Sequence, residues 1–146
     1  MKRKPVGIQE RLVALARQYN LVAVYAFGSR AGEIAARVAG RDVESVYTAS
    51  DVDIGVLPVP GHVLAPLDRV RLTFALEELL NVRQVDLVVL PEAPPYLALD
   101  IVKGELLSTT NPDTEAEHQL YVLRRAGDLA SFERERLRVI LMGEGI

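Results

Sequence analysis

The sequence contains no cysteine. That excludes a disulfide framework and a thiolate metal site. It also lacks a basic excess: 17 Lys and Arg stand against 20 Asp and Glu, giving a net charge of −3 and a pI near 5.4. Bulk electrostatics therefore offers little to a nucleic-acid backbone, which argues against a general DNA or RNA binder. A small phosphate-bearing ligand needs only a few local donors and stays open. No apolar run approaches bilayer length. The basic start MKRKPVG leads into IQERLVALARQY, whose charges do not fit a secretory leader, so the expected location is the cytoplasm. Neither the P-loop pattern G-x-x-x-x-G-K-S/T nor the protein-kinase motif set occurs.

What is present reads as one globular domain over residues 1–146. Apolar residues make up 49% and charged residues 25% of the chain, enough to bury a sizeable core. Ile8, Leu12, Leu15 and Tyr19 predict an amphipathic helix over 5–19, with Asn20 as its stop. LVAVYAF at 21–27 predicts a buried strand. A short helix is expected over 31–40, while 41–50 carries no assignable pattern. DVDIGVL at 51–57 and RQVDLVVL at 83–90 predict two further strands. Between them, 63–80 predicts a helix with two apolar stripes. Leu72, Leu76, Leu79 and Leu80 form one, and Leu67, Val70 and Phe74 the other. Two stripes predict two neighbours, one of them another chain: a protein partner or a second copy in a homodimer. A short helix at 94–104, a strand at 105–110 and a C-terminal helical segment at 112–142, broken near Gly127, complete the expectation. Asn111, Pro112 and the acids Asp113, Glu115 and Glu117 mark the start of that segment. Strands alternate with helices, so the fold class is α/β in layers. His62 and His118 lie in no motif and are expected on the surface.

Two stretches carry chemistry. In SDVDIGVL, Asp51 and Asp53 are two apart on a strand and project to one face, with Val52 and Ile54 on the other. Adjacent carboxylates repel, so one takes a proton or a cation lies between them. Oxygen-rich pairs suit Mg²⁺ or Mn²⁺. Asp86 is alone in an apolar strand and completes a three-acid cluster if that strand lies beside 51–57. Taken singly, Asp51 reads equally as a turn residue and Asp86 as an edge-strand charge. The other stretch is AFGSRAGE, where a strand ends in Gly28-Ser29 and hands over to a helix. Exposed backbone N–H groups and a hydroxyl favour an anion, typically phosphate, and Arg30 adds a charged contact. Most Gly-Ser pairs are plain turns, so this one gains weight from the carboxylates downstream.

GS after a strand, SDVD entering a second strand and the single acid of QVDLVVL together resemble the DNA polymerase beta-like nucleotidyltransferase superfamily. The resemblance covers roughly residues 8–110. The helix leading through VDLVVL to LDIVKGELL is most similar to the minimal nucleotidyltransferase (MNT) branch. The resemblance implies a mixed β-sheet flanked by helices. It implies two divalent ions, Mg²⁺ or Mn²⁺, on Asp51, Asp53 and Asp86, and the phosphates of a nucleoside triphosphate, ATP, against Gly28 and Ser29. In this branch it also implies a toxin–antitoxin pair, the MNT protein adenylylating a tyrosine of a HEPN partner. The chain departs in one respect: Ser29 and Asp51 are farther apart than the branch usually has them, so an insertion is expected within 32–49. Two alternatives stand beside catalysis on a partner: a non-catalytic docking subunit whose cleft the insertion closes, and an aminoglycoside-type nucleotidyltransferase.

Overall fold

The computed structural model describes residues 7–41 and 51–143. The helix start expected at Pro5 and most of the unassigned stretch 41–50 lie outside the described residues. In chain order the elements are α1 (Ile8–Gln18), β1 (Leu21–Phe27), α2 (Ala31–Val38), β2 (Val52–Pro58), α3 (Pro66–Leu80) and β3 (Val85–Val89). A 3-10 turn (Leu90–Glu92), α4 (Pro95–Val102), β4 (Glu105–Thr109) and α5 (Pro112–Leu141) follow. The four strands form one mixed sheet in the order β3-β2-β1-β4. β1 is antiparallel to both β2 and β4, and β2 is parallel to β3.

The sheet is covered on both faces, which is why β1 is apolar throughout and buried at every position. One face packs Val24, Ala26, Val52, Ile54 and Val56 against Leu12 and Ala16 of α1, Ile34 and Val38 of α2, and Leu72 and Leu76 of α3. The opposite face packs Val22, Tyr25, Phe27 and Leu57 against Ala98 and Ile101 of α4 and Val122 of α5. Gly55 lets α4 approach closely: a Cβ there would stand 2.5 Å from Ile101 Cγ2.

Helix ends follow local chemistry. Asn20 and Asn81 take left-handed φ values of 55° and 54° where α1 and α3 stop. The Asn111 side chain accepts the Thr114 N–H at 3.2 Å, and Pro112 opens α5. The break expected near Gly127 does not occur. Gly127 is exposed with open space around it, so its propensity cost of about 1 kcal/mol is absorbed by good helix formers on either side. Residues 31–38, the first part of the segment expected to hold an insertion, are a core helix, with Ile34 fully buried. Among the described residues, no helix is long and apolar enough to cross a membrane.

Candidate active site

The sheet register assembles the site. β1 runs antiparallel to β2, so its last residue, Phe27, pairs with Asp53. β3 runs parallel to β2 and places Asp86 directly beside Asp53 and Val85 beside Val52. In-register neighbours project to the same face of a sheet. Asp53 and Asp86 thus stand side by side on the α4–α5 face, while Val52 and Ile54 are buried on the other. Asp51 immediately precedes β2 and is exposed, as is Asp86; Asp53 is half-buried. Beyond Phe27, Gly28 turns the chain with φ of 78°. A Cβ on Gly28 would collide with Asp53 Oδ2, so the bare backbone of this turn lies directly against that carboxylate. Ser29 and Arg30 then lead into α2.

Electrostatics single out Asp53. Burial pushes its carboxyl above the usual range, and the charges of Asp86 and then Asp51 push it in the same direction. The two outer acids are therefore close enough to act on the central one. Even so, as the side chains stand, no three acidic or histidine groups among the described residues close into a ready-made metal cage. The donor set fits a hard divalent cation all the same. Every donor is a carboxylate oxygen, their charges disfavour one another, and the adjoining turn sets bare backbone against the central acid. Arg30 is engaged locally: its guanidinium pairs with Glu33 at 2.7 Å, and Glu33 also meets Arg37 at 3.2 Å.

The family model of polymerase beta nucleotidyltransferases matches residues 10–113, which spans the Gly-Ser turn and all three acids. The chain belongs to this nucleotidyltransferase family. Solved structures agree on the fold. A chain of a toxin–antitoxin complex with AMP-PNP is 24% identical at a TM-score of 0.63, with 91% of this chain and 98% of that chain covered. A chain of the MntA–HepT toxin–antitoxin structure is 23% identical at a TM-score of 0.59, covering 92% and 97%. A structure of tri-AMPylated Shewanella oneidensis HEPN toxin with MNT antitoxin gives 23% identity and a TM-score of 0.59, covering 92% and 96%. No curated protein matches this chain. The mixed sheet of this nucleotidyltransferase is the architecture that the resemblance implies.

Sequence reasoning missed a polar cluster beneath the same face. Tyr25, in the middle of the apolar β1, donates its hydroxyl to Glu115 Oε1 of α5, and Gln119 Nε2 donates to the same oxygen at 3.3 Å. At the start of α5 Glu115 has the position of a helix-dipole acid, yet it is 7% exposed. Burial, then the bond to Glu115, then its charge all raise the Tyr25 hydroxyl, which stays protonated. His118 is half-buried rather than a surface residue, its ring centroid 5.7 Å from that of Tyr121. Burial lowers its pKa, with Glu115 opposing. A signal was available: Glu115, Val122 and Ala126 are seven and eleven residues apart, so they share one helix face. His62 is exposed, as read.

Proposed function

We propose that this nucleotidyltransferase moves AMP from ATP to an acceptor hydroxyl, a tyrosine on a HEPN-family partner, and so acts as an MNT antitoxin. One observation carries the reading: a half-buried aspartate, Asp53, lies against the glycine turn on one side and beside Asp86 on the other. Family membership supplies the reaction class. Relatives of the same fold include a toxin–antitoxin complex with AMP-PNP and an MNT antitoxin with its tri-AMPylated HEPN toxin.

Asp51, Asp53 and Asp86 would hold the divalent ions, Mg²⁺ or Mn²⁺. When bound, such ions neutralise the triphosphate and sharpen the acceptor oxygen as a nucleophile. The chain's own groups do the rest. Gly28 keeps the backbone open to the phosphates, and Ser29 offers a hydroxyl and an N–H at the start of α2. Arg30, held by Glu33, lines the same turn. The acceptor oxygen attacks the α-phosphorus, the bond to the bridging oxygen breaks, and pyrophosphate leaves. The acceptor proton passes to Asp86, the exposed acid at the sheet edge. Catalysis in this scheme is positioning and charge complementarity.

The test is incubation with α-labelled ATP, Mg²⁺ and the purified HEPN-family partner. Label on a partner tyrosine is the expected result. Label on an aminoglycoside and on no protein would defeat the antitoxin reading. No label, and no rise in unfolding midpoint with ATP and Mg²⁺, would leave a docking subunit instead.

A further inference from the structure

The fold uses one of the two apolar stripes of α3 and leaves the other outside. Leu72, Leu76, Leu79 and Leu80 are buried, whereas Leu67, Val70 and Phe74 stay 58%, 50% and 65% exposed. The spacing of this second stripe, i, i+3, i+7, puts all three on one side of the helix. That side borders an open groove of about 280 Å³ between α3 and β3. Val70, Thr73 and Phe74 line it from the helix, and Val85, Asp86 and Leu87 from the strand. β3 is the terminal strand of the sheet, and among the described residues it pairs with β2 alone, so its outer edge faces the groove without a strand partner.

We propose that this groove seats the acceptor protein. An extended, apolar segment of the partner lies along the edge of β3, over Val70 and Phe74, and presents its hydroxyl at Asp86. The proposal rests on the role given to Asp86 above. Its main support is continuity along β3: Asp86 lines the groove at the sheet edge and also stands beside Asp53, so a segment laid along that edge passes the acid row. The remaining chemistry selects the occupant. The groove's cation, Arg69, is held by Glu92 through contacts of 3.2 and 2.7 Å and donates to the Leu64 carbonyl at 2.8 Å. The Thr73 hydroxyl donates to the Arg69 carbonyl at 2.7 Å. Among the described lining residues the one cation is thus already engaged, which disfavours a phosphate-rich acceptor, and a polycationic aminoglycoside finds mostly apolar walls. An uncharged polypeptide finds apolar contact for alternate side chains and an open strand edge for its backbone.

Phe74→Ala and Val70→Ala test the proposal, because both side chains are exposed and their loss leaves the core intact. With saturating ATP, each is expected to lower kcat/KM for labelling the HEPN partner about tenfold. The unfolding midpoint and its rise with ATP and Mg²⁺ should stay at wild-type values. In a second arm, Phe74→p-benzoylphenylalanine is photo-activated with the same purified partner, with Phe132→p-benzoylphenylalanine as control. Capture from position 74 supports the groove. No capture from 74, or variants that label the partner at the wild-type rate, overturns it. Capture without any labelling by the wild type keeps the groove as a docking surface and removes the catalytic reading, so the two failures are distinguishable.

Discussion

The two faces of the sheet are built for different ends. Under α1, α2 and α3 the packing is aliphatic, and no ionisable group of the described residues is buried there. Under α4 and α5 the apolar packing is interrupted by Tyr25, Glu115, Gln119 and the half-buried His118. At the end of that same face, Asp53 and Asp86 emerge beside the Gly28 turn. Burying unpaired charge destabilises a fold by several kcal/mol. The fully buried ionisable pair, Tyr25 and Glu115, lies on one face, while on the other the half-buried ions Arg30, Glu33 and Arg37 pair with one another at the rim of α2. Stability and chemistry are thereby separable by mutation.

The sharpest way to break that comparison is Leu76→Ala on the aliphatic face. It should cost about 2–5 kcal/mol of stability through the cavity it leaves, read by denaturant unfolding, with nucleotide response retained in the folded fraction. Asp53→Asn should do the reverse, cutting transfer by about 10²–10³-fold. Because the folded state raises the Asp53 pKa, the ionised side chain opposes folding above its ordinary value of 3.8. The Asn variant should therefore be at least as stable as wild type at neutral pH in denaturant unfolding. Any such gain should vanish in acid, where the native carboxyl is protonated in both states.

On the polar face, Tyr25→Phe leaves the buried Glu115 with the longer hydrogen bond from Gln119, and should cost about 1–3 kcal/mol in thermal or denaturant unfolding. Gly28→Ala forces a side chain onto Asp53 and into left-handed backbone. We expect a loss of about 1–2 kcal/mol and no midpoint shift with ATP and Mg²⁺. The smallest effect concerns His118. Its folded pKa lies below the ordinary 6.5, so its contribution is present above that pH and declines as pH falls through it. Wild type should lose stability as the pH falls below 6.5, and His118→Gln should flatten that decline.

Much of this was legible because short-range patterns carry it. Short apolar runs marked β1, β2 and β3, period-3.6 hydrophobicity marked both stripes of α3, and Asn20 and Asn111 marked two helix boundaries. The SDVD pair was conspicuous because an acid between Val52 and Ile54 has no packing reason. Other features depend on what lies across space. Glu115 at the head of a helix looks like a dipole acid until Tyr25, 90 residues away in sequence, is seen to meet it. That Arg30 is held by Glu33 of the following helix is likewise visible only in the structure.

The sequence by itself determined the elements, the acids at 51, 53 and 86, and the glycine turn, because each is a local choice of residue against its neighbours. The tertiary structure alone decided that β1 runs antiparallel between β2 and β4, that Asp86 stands beside Asp53, and that the second stripe of α3 borders a groove lined in part by β3. Strand order and register are set by long-range burial on both faces of the sheet, which no window of sequence contains.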